Sequence, residues 1–200
     1  LDPQGRADIM HILDELQQHG TTIILVTHHR DEFVNADRII RLDNGRIVQS
    51  ARGNTASIPE MDESGTAQED NPIAKSNIAN GASKPTSAVP IIEIHNLIYQ
   101  YPNSSKPVLD KLSITINEGE TVAITGHNGA GKTTLARLLC ALEQPQSGSI
   151  TVNTIPVARQ RANGNMQSLK RADREKLRAT IGYVMQHPER QLFAETVADR

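Results

Sequence analysis

Eight consecutive residues, Gly126, His127, Asn128, Gly129, Ala130, Gly131, Lys132 and Thr133, combine three glycines, a lysine and a hydroxyl side chain at the spacing of a phosphate-binding loop. The glycines let the backbone take conformations closed to other residues and bring amide N–H groups against phosphate oxygens. A helix opening at the end of the loop points its positive pole at the same place. Lys132 adds a full charge near the outer phosphates, and Thr133 offers a hydroxyl to a magnesium ion bridging them. Phosphoryl transfer asks chiefly for positioning and charge neutralisation, so Lys132 is a catalytic candidate. Gly126 to Thr133, with Thr134, are the candidate nucleotide-binding set. The plainer reading, a glycine-rich turn that starts a helix, leaves the order lysine then threonine without a reason.

Such a loop works only between a strand and a helix, and the flanking residues supply both. Thr121 to Thr125 is a short apolar run, and Leu135, Leu138, Leu139 and Leu142 recur at helical spacing. Before the loop, Ile91 to Tyr101 and Leu112 to Asn117 read as strands; after it, Ser149 to Val152 reads as another. Residues 156 to 168 look like an insertion. A charged helix is expected from about Leu169 to Arg178, then a strand over Ile181 to Met185. Near the start, Ile9, Ile12, Leu13 and Leu16 predict an amphipathic helix over residues 5 to 19, closed by Gly20. Thr21 to Thr27 reads as a strand buried on both faces of a parallel sheet. Arg38 to Leu42 and Arg46 to Val48 flank Asp43, Asn44 and Gly45, a strong hairpin signal. Residues 50 to 90, small and polar with no aromatic and no sustained period, predict a flexible linker.

Two hundred residues allow one or two domains, and a formal charge of -2 with a pI near 6.4 gives no reason to expect a nucleic-acid partner. The single cysteine, Cys140, rules out an intrachain disulfide and fits a cytosolic chain in which it packs in the core. No secretory segment is visible at the start. The apolar runs are far too short to span a bilayer, so a membrane role would have to come through a partner.

The residues from Ile91 to Arg200 resemble the first half of an ATP-binding cassette (ABC) ATPase domain, and those from Leu1 to Val48 the last part of another. Leu1, Asp2, Pro3, Gln4, Gly5 and Arg6 resemble the family's D-loop. Val26 to Glu32, followed by Ala36, Asp37 and Arg38, resemble its H-loop, with His28 at the switch histidine. Tyr101 stands where the family places an aromatic ring against adenine, and Gln186 stands at the Q-loop. The loop, its helix and the stretch Gln186 to Phe193 are most similar to energy-coupling factor (ECF) and cobalt-type importer ATPases. The chain departs at Ala130 and Thr133, where serines are more usual, at His187, where asparagine is, and at His29, where aspartate is.

This resemblance implies an incomplete α/β P-loop NTPase (ABC ATPase) fold: a parallel core sheet with helices, plus an antiparallel β subdomain. It divides the chain into the end of one domain (1–49), the linker (50–90) and the start of a second (91–200). It implies ATP and magnesium as cofactors, Lys132, His28 and Gln186 as catalytic residues, Thr133 and Gln186 at the metal, Tyr101 at the base, and Asp2 across an interface between domains. It further implies transmembrane partners (the ECF T and S components), a second ABC domain, and a place at the cytoplasmic face of the membrane. The cargo, vitamins or nickel and cobalt ions, stays open. No signature sequence and no Walker B carboxylate pair is present, so the 200 residues alone are expected to hydrolyse ATP negligibly.

Plainer readings stand beside several of these. A histidine ending an apolar strand, such as His28, is often structural; His28 and adjacent His29 would point to opposite strand faces and make a poor metal pair. Tyr101 and Tyr99 have equal claim by periodicity to be a half-buried strand aromatic. A soluble tandem ABC ATPase acting on ribosomes or DNA, or a non-hydrolysing nucleotide binder, are the competing functions. Because the family lays the strand before the switch histidine beside that before the phosphate loop, residues 21–27 are expected to be able to pair with 121–125. A linker of about 40 residues typically reaches roughly 35 Å, enough for that return.

Overall fold

The computed structural model describes residues 3–27, 35–52, 89–161, 163–167 and 169–184. The first helix, α1 (Pro3–Gln18), opens on a proline, whose fixed φ and missing N–H suit a first helical turn. It ends as expected: Gly20 takes φ +86° and its N–H donates to the Gln17 carbonyl at 2.8 Å. Ile9, Ile12 and Leu16 on α1 are exposed.

The phosphate-loop strand lies at the heart of a four-stranded sheet. Its order is β1 (Ile23–Val26), β6 (Thr121–Thr125), β2 (Arg38–Asp43), β3 (Arg46–Arg52). β6 pairs in parallel with β1 (Ile23 opposite Thr121) and with β2 (Arg38 opposite Val122), and all five of its residues are buried. A run buried on both faces and paired on both edges needs no polar side, which is why Thr-Val-Ala-Ile-Thr is apolar without alternation. The expected return of residues 21–27 onto 121–125 is therefore present. β1 itself departs from expectation: Val26 is exposed, because β1 is an edge strand among the described residues, with β6 on one side only.

The two stretches are also joined at the turn that feeds β6. The Asp37 carboxylate accepts the Thr121 N–H at 2.8 Å and the Gln17 amide at 2.9 Å; Arg38 Nε lies 2.9 Å from Glu120 Oε1; and Gly119 N–H donates to Thr22 Oγ1 at 2.9 Å. Asp37→Ala should cost about 1 to 2 kcal/mol, since a part-buried amide would lose a charged acceptor. Urea unfolding would check it, with Asp37→Asn, which keeps one acceptor oxygen, expected to lose less.

Asn44 (φ +46°) and Gly45 (φ +74°) make the expected β2–β3 hairpin turn. β3 runs on to Arg52 and the next strand begins at Pro90, so residues 50–52 and 90, expected in the linker, are strand. Residues 53–88 lie outside the described residues.

The second sheet is antiparallel, in the order β5 (Leu109–Asn117), β4 (Pro90–Tyr99), β7 (Ser147–Val152), β8 (Ile155–Gln160), β9 (Met166–Gln167). The expected insertion at 156–168 is thus mostly sheet. Its turn is built from Asn153 (φ +45°) and Thr154 (φ +65°), without the glycine that would have announced it. The charged helix is α3 (Arg171–Thr180), held by one fully buried side chain, Leu177. Residues 181–184, expected to begin a strand, carry no ladder: an alternating pattern becomes a strand only where a neighbour offers backbone partners, and none does among the described residues. One core runs through both sheets, joining Ile40 and Leu42 to Val122, Ile124, Leu135 and Leu138 and on to Ile94, Leu97 and Ile150.

Candidate functional site

The loop leaves β6 at a glycine that nothing else could replace. Gly126 has φ +141°, and a Cβ there would lie 2.2 Å from the Leu42 carbonyl oxygen of β2. Gly131, at φ +101°, is similarly hemmed in, with Leu109 Cδ2 at 2.6 Å and Val108 O at 2.9 Å from a hypothetical Cβ. Gly129 faces open space, so its glycine serves only its φ of +87°. α2 (Lys132–Leu139) then opens from Gly131, and no side chain caps it. Its first amide groups therefore point out of the loop with the positive end of the helix behind them, the arrangement that receives a phosphate. Leu135, Leu138 and Leu139 bury the opposite face and fix the axis.

Around this frame the polar groups converge. The Lys132 ammonium donates to the carbonyls of Gly126 (2.7 Å) and His127 (2.9 Å), spanning the loop, and its burial lowers its pKa. Thr133 is exposed on the first helical turn, where its hydroxyl suits a hard cation such as Mg²⁺. His127 Nε2 lies 2.8 Å from Asp43 Oδ1 and Nδ1 lies 2.6 Å from the Asn128 carbonyl, tying the loop to the β2–β3 turn. Asn128 and Gly129 are exposed; Ala130 is fully buried beneath them, with its N–H donating to the His127 carbonyl at 3.2 Å.

The two tyrosines, equivalent by period, are separated by their surroundings. Tyr99 ends β4, is 3% exposed and donates to Glu143 Oε2 at 2.9 Å; Tyr101, past the strand end, is 37% exposed with its Oη 3.0 Å from Thr134 Oγ1. Their rings meet edge to face at 5.0 Å and 89°. Glu143 in turn accepts from Arg137 of α2 at 2.8 Å. Burial, and then the bond to Glu143, push the Tyr99 phenol up to about 12, while Arg137 and Tyr99 hold the Glu143 carboxyl below its ordinary value. Ultraviolet titration of tyrosinate should show a step near 12 that disappears in Tyr99→Phe. A raised folded value means that the neutral phenol stabilises the fold fully below the ordinary tyrosine pKa, and that this is lost as pH rises through about 12. The Cys140 thiol is pushed up by burial, which suits packing rather than reactivity.

Gly126 to Thr134 and Tyr101 thus come together at one end of β6. His28, Gln186 and Asp2 lie outside the described residues, as does the stretch from Gln186 to Phe193. Asp43, Tyr99, Arg137 and Glu143 were not expected at the site. Only Asp43 had a signal, as the first residue of the Asp-Asn-Gly turn, and it spoke of a hairpin rather than a loop partner.

Residues 109–200 match the family model described as ABC transporter. Over that stretch the chain is similar to the ABC transporter family. Over its whole length it is 43% identical to a Bifidobacterium longum protein named as an ABC transporter ATP-binding protein, of which it spans 29%. It is 40% identical over 54% of its length to an energy-coupling factor transporter ATP-binding protein, EcfA1, of Latilactobacillus sakei, covering 35% of that protein. Among solved structures, cbiO1 from Clostridium perfringens, described as part of the ABC transporter complex cbiONQ, is 32% identical, with a TM-score of 0.45 over 56% of this chain and 40% of that one. The chain thus spans well under half the length of these relatives. The P-loop with its mixed sheet and antiparallel sheet fits part of an ABC ATPase domain. No described helix is long and apolar enough to cross a membrane.

Proposed function

We propose that this chain supplies an ATP site to an ATP-hydrolysing subunit that energises an importer of the energy-coupling factor type, carrying vitamins or nickel or cobalt ions. The observation that carries the reading is the open phosphate loop at the start of α2, with Lys132 spanning it and Thr133 exposed beside it. The partial likeness to EcfA1 proteins, 40% and 37% identical in two organisms, supports the importer class.

In this reading the loop amides and Lys132 hold the β and γ phosphates and oppose the charge on the transferring group. Thr133, with Gln186, would hold Mg²⁺, which supplies charge neutralisation between phosphates when bound. Tyr101 stacks on the adenine. His28 contacts the outer phosphate, and Asp2 reaches across to the loop of a second ABC domain. Residues 1–49 and 91–200 are then the end of one ABC domain and the start of the next, with 50–90 between them. T and S membrane components are the partners, and the subunit sits at the cytoplasmic face.

The test is to express the complete reading frame with an affinity tag and follow it through fractionation. Recovery with an integral membrane protein, released as one complex by mild detergent, is the expected result. Recovery with ribosomes or DNA and none with membranes would replace the importer by the soluble tandem ATPase.

A further inference from the structure

Two separate links tie the end of β4 to α2. At the first turn of the helix, Thr134 Oγ1 lies 3.0 Å from Tyr101 Oη. At its last turn, Arg137 donates to Glu143 Oε1 at 2.8 Å, and the other oxygen of the same carboxylate accepts from Tyr99 at 2.9 Å. Tyr99 then presents its ring edge to face with Tyr101 at 5.0 Å. α2 is also the helix whose first turn carries Lys132 and Thr133. The element that fixes the phosphates therefore fixes the neighbouring tyrosine from both ends.

An exposed aromatic side chain ordinarily samples several rotamers, and a ligand stacking on it must first select one. The buried Tyr99 removes much of that freedom from Tyr101, since an edge-to-face partner and a hydroxyl bond together define both the ring's tilt and its reach. Tyr99 could fill the core as phenylalanine; its hydroxyl instead donates to a carboxylate already engaged by arginine, which adds a fixed point to the ring that Tyr101 meets.

We infer that Arg137, Glu143 and Tyr99 form a positioning chain that holds Tyr101 at a fixed spacing from the phosphate loop, and so confer preference for a nucleoside triphosphate with a planar base over bare triphosphate. This rests on the proposal that Tyr101 stacks on the base. Arg137, Glu143 and Tyr99 act through Tyr101 and touch no ligand themselves.

The experiment compares binding of ATP and of inorganic tripolyphosphate, both with Mg²⁺, by calorimetry on the whole chain and its variants. Tyr101→Ala should weaken ATP about ten-fold and leave tripolyphosphate unchanged, since stacking of a base on an aromatic ring is worth roughly that much or more. Tyr99→Phe and Glu143→Gln should each weaken ATP about two- to five-fold, again with tripolyphosphate unchanged, as expected for restoring the freedom of one side chain. The near-ultraviolet circular dichroism of the tyrosines should fall in both. A variant that merely destabilised the fold would weaken both ligands together, and that pattern in Glu143→Gln and Tyr99→Phe alike would overturn the inference. If Tyr101→Ala lowers ATP affinity while both others bind ATP as the parent does, the base contact stands and the positioning chain falls. If Tyr101→Ala has no effect, both fall.

Discussion

Lys132→Ala should lower the affinity for ATP by roughly one to two orders of magnitude, the worth of a charge-assisted contact to an oxygen anion in a partly dry site. Tripolyphosphate should lose as much, because the ammonium addresses phosphates and not the base. The fold should change little: the bonds from this side chain among the described residues go to two carbonyls of its own loop, Gly126 and His127. Calorimetric titration beside a thermal melt separates the two quantities. Lys132→Arg should recover only part of the affinity, since the larger fork does not fit over the carbonyls of Gly126 and His127 as a point charge does. The pH dependence has a definite sign. Burial lowers the pKa of this amine, so affinity in the free chain should begin to fall on the alkaline side earlier than for an exposed lysine. An unchanged ATP affinity in Lys132→Ala would mean that ATP does not occupy this loop.

Gly45→Ala should destabilise the chain by roughly 3 to 5 kcal/mol, by adding left-handed backbone strain to an overlap that only backbone movement can relieve. The new methyl would lie 2.2 Å from the Val108 carbonyl oxygen and 2.8 Å from Leu109 Cα, at φ +74°. Gly45 O also accepts the Asp110 N–H at 3.1 Å, and Arg46 is paired with Asp110, so displacement of the turn breaks these contacts as well. Asn44→Gly is the control: at φ +46° a glycine is tolerated, and the change should stay within about 1 kcal/mol. Denaturant midpoints decide the matter. A Gly45→Ala midpoint equal to that of the parent would show that the β2–β3 turn does not seat against Val108 in solution, and with it that residues 3–52 do not dock on the phosphate-loop stretch as described.

What could be read from the residues was what they encode locally. The phosphate loop is eight residues long, and each glycine answers a backbone need in that span, so the strand, turn and helix expected around Gly126 to Thr134 are the ones found. The Asn44-Gly45 turn was legible for the same reason. The turn at Asn153 and Thr154 has the same left-handed backbone with ordinary side chains, and the stretch from Pro156 on reads as an insertion. Tyr99 and Tyr101 share a strand face by period 2, and no local rule separates them. What does is the end of β4 at Tyr99 and a carboxylate from 44 residues further on. Asp43 meets His127 across 84 positions of chain, a pairing that follows from the placing of β2 beside β6 and from nothing in either segment.

The sheet order has a consequence for synthesis. β1 and β2 do not pair with each other; β6 lies between them, and it is made only after Arg52 and everything up to Thr121 has been added. At the usual pace of translation, about 5 to 20 residues per second, the interval from Asp43 to Thr125 lasts roughly 4 to 16 seconds. For that time β6 cannot lie between β1 and β2, and among the described strands only β3 covers an edge of either. An edge left open in that interval is a template for pairing with another strand.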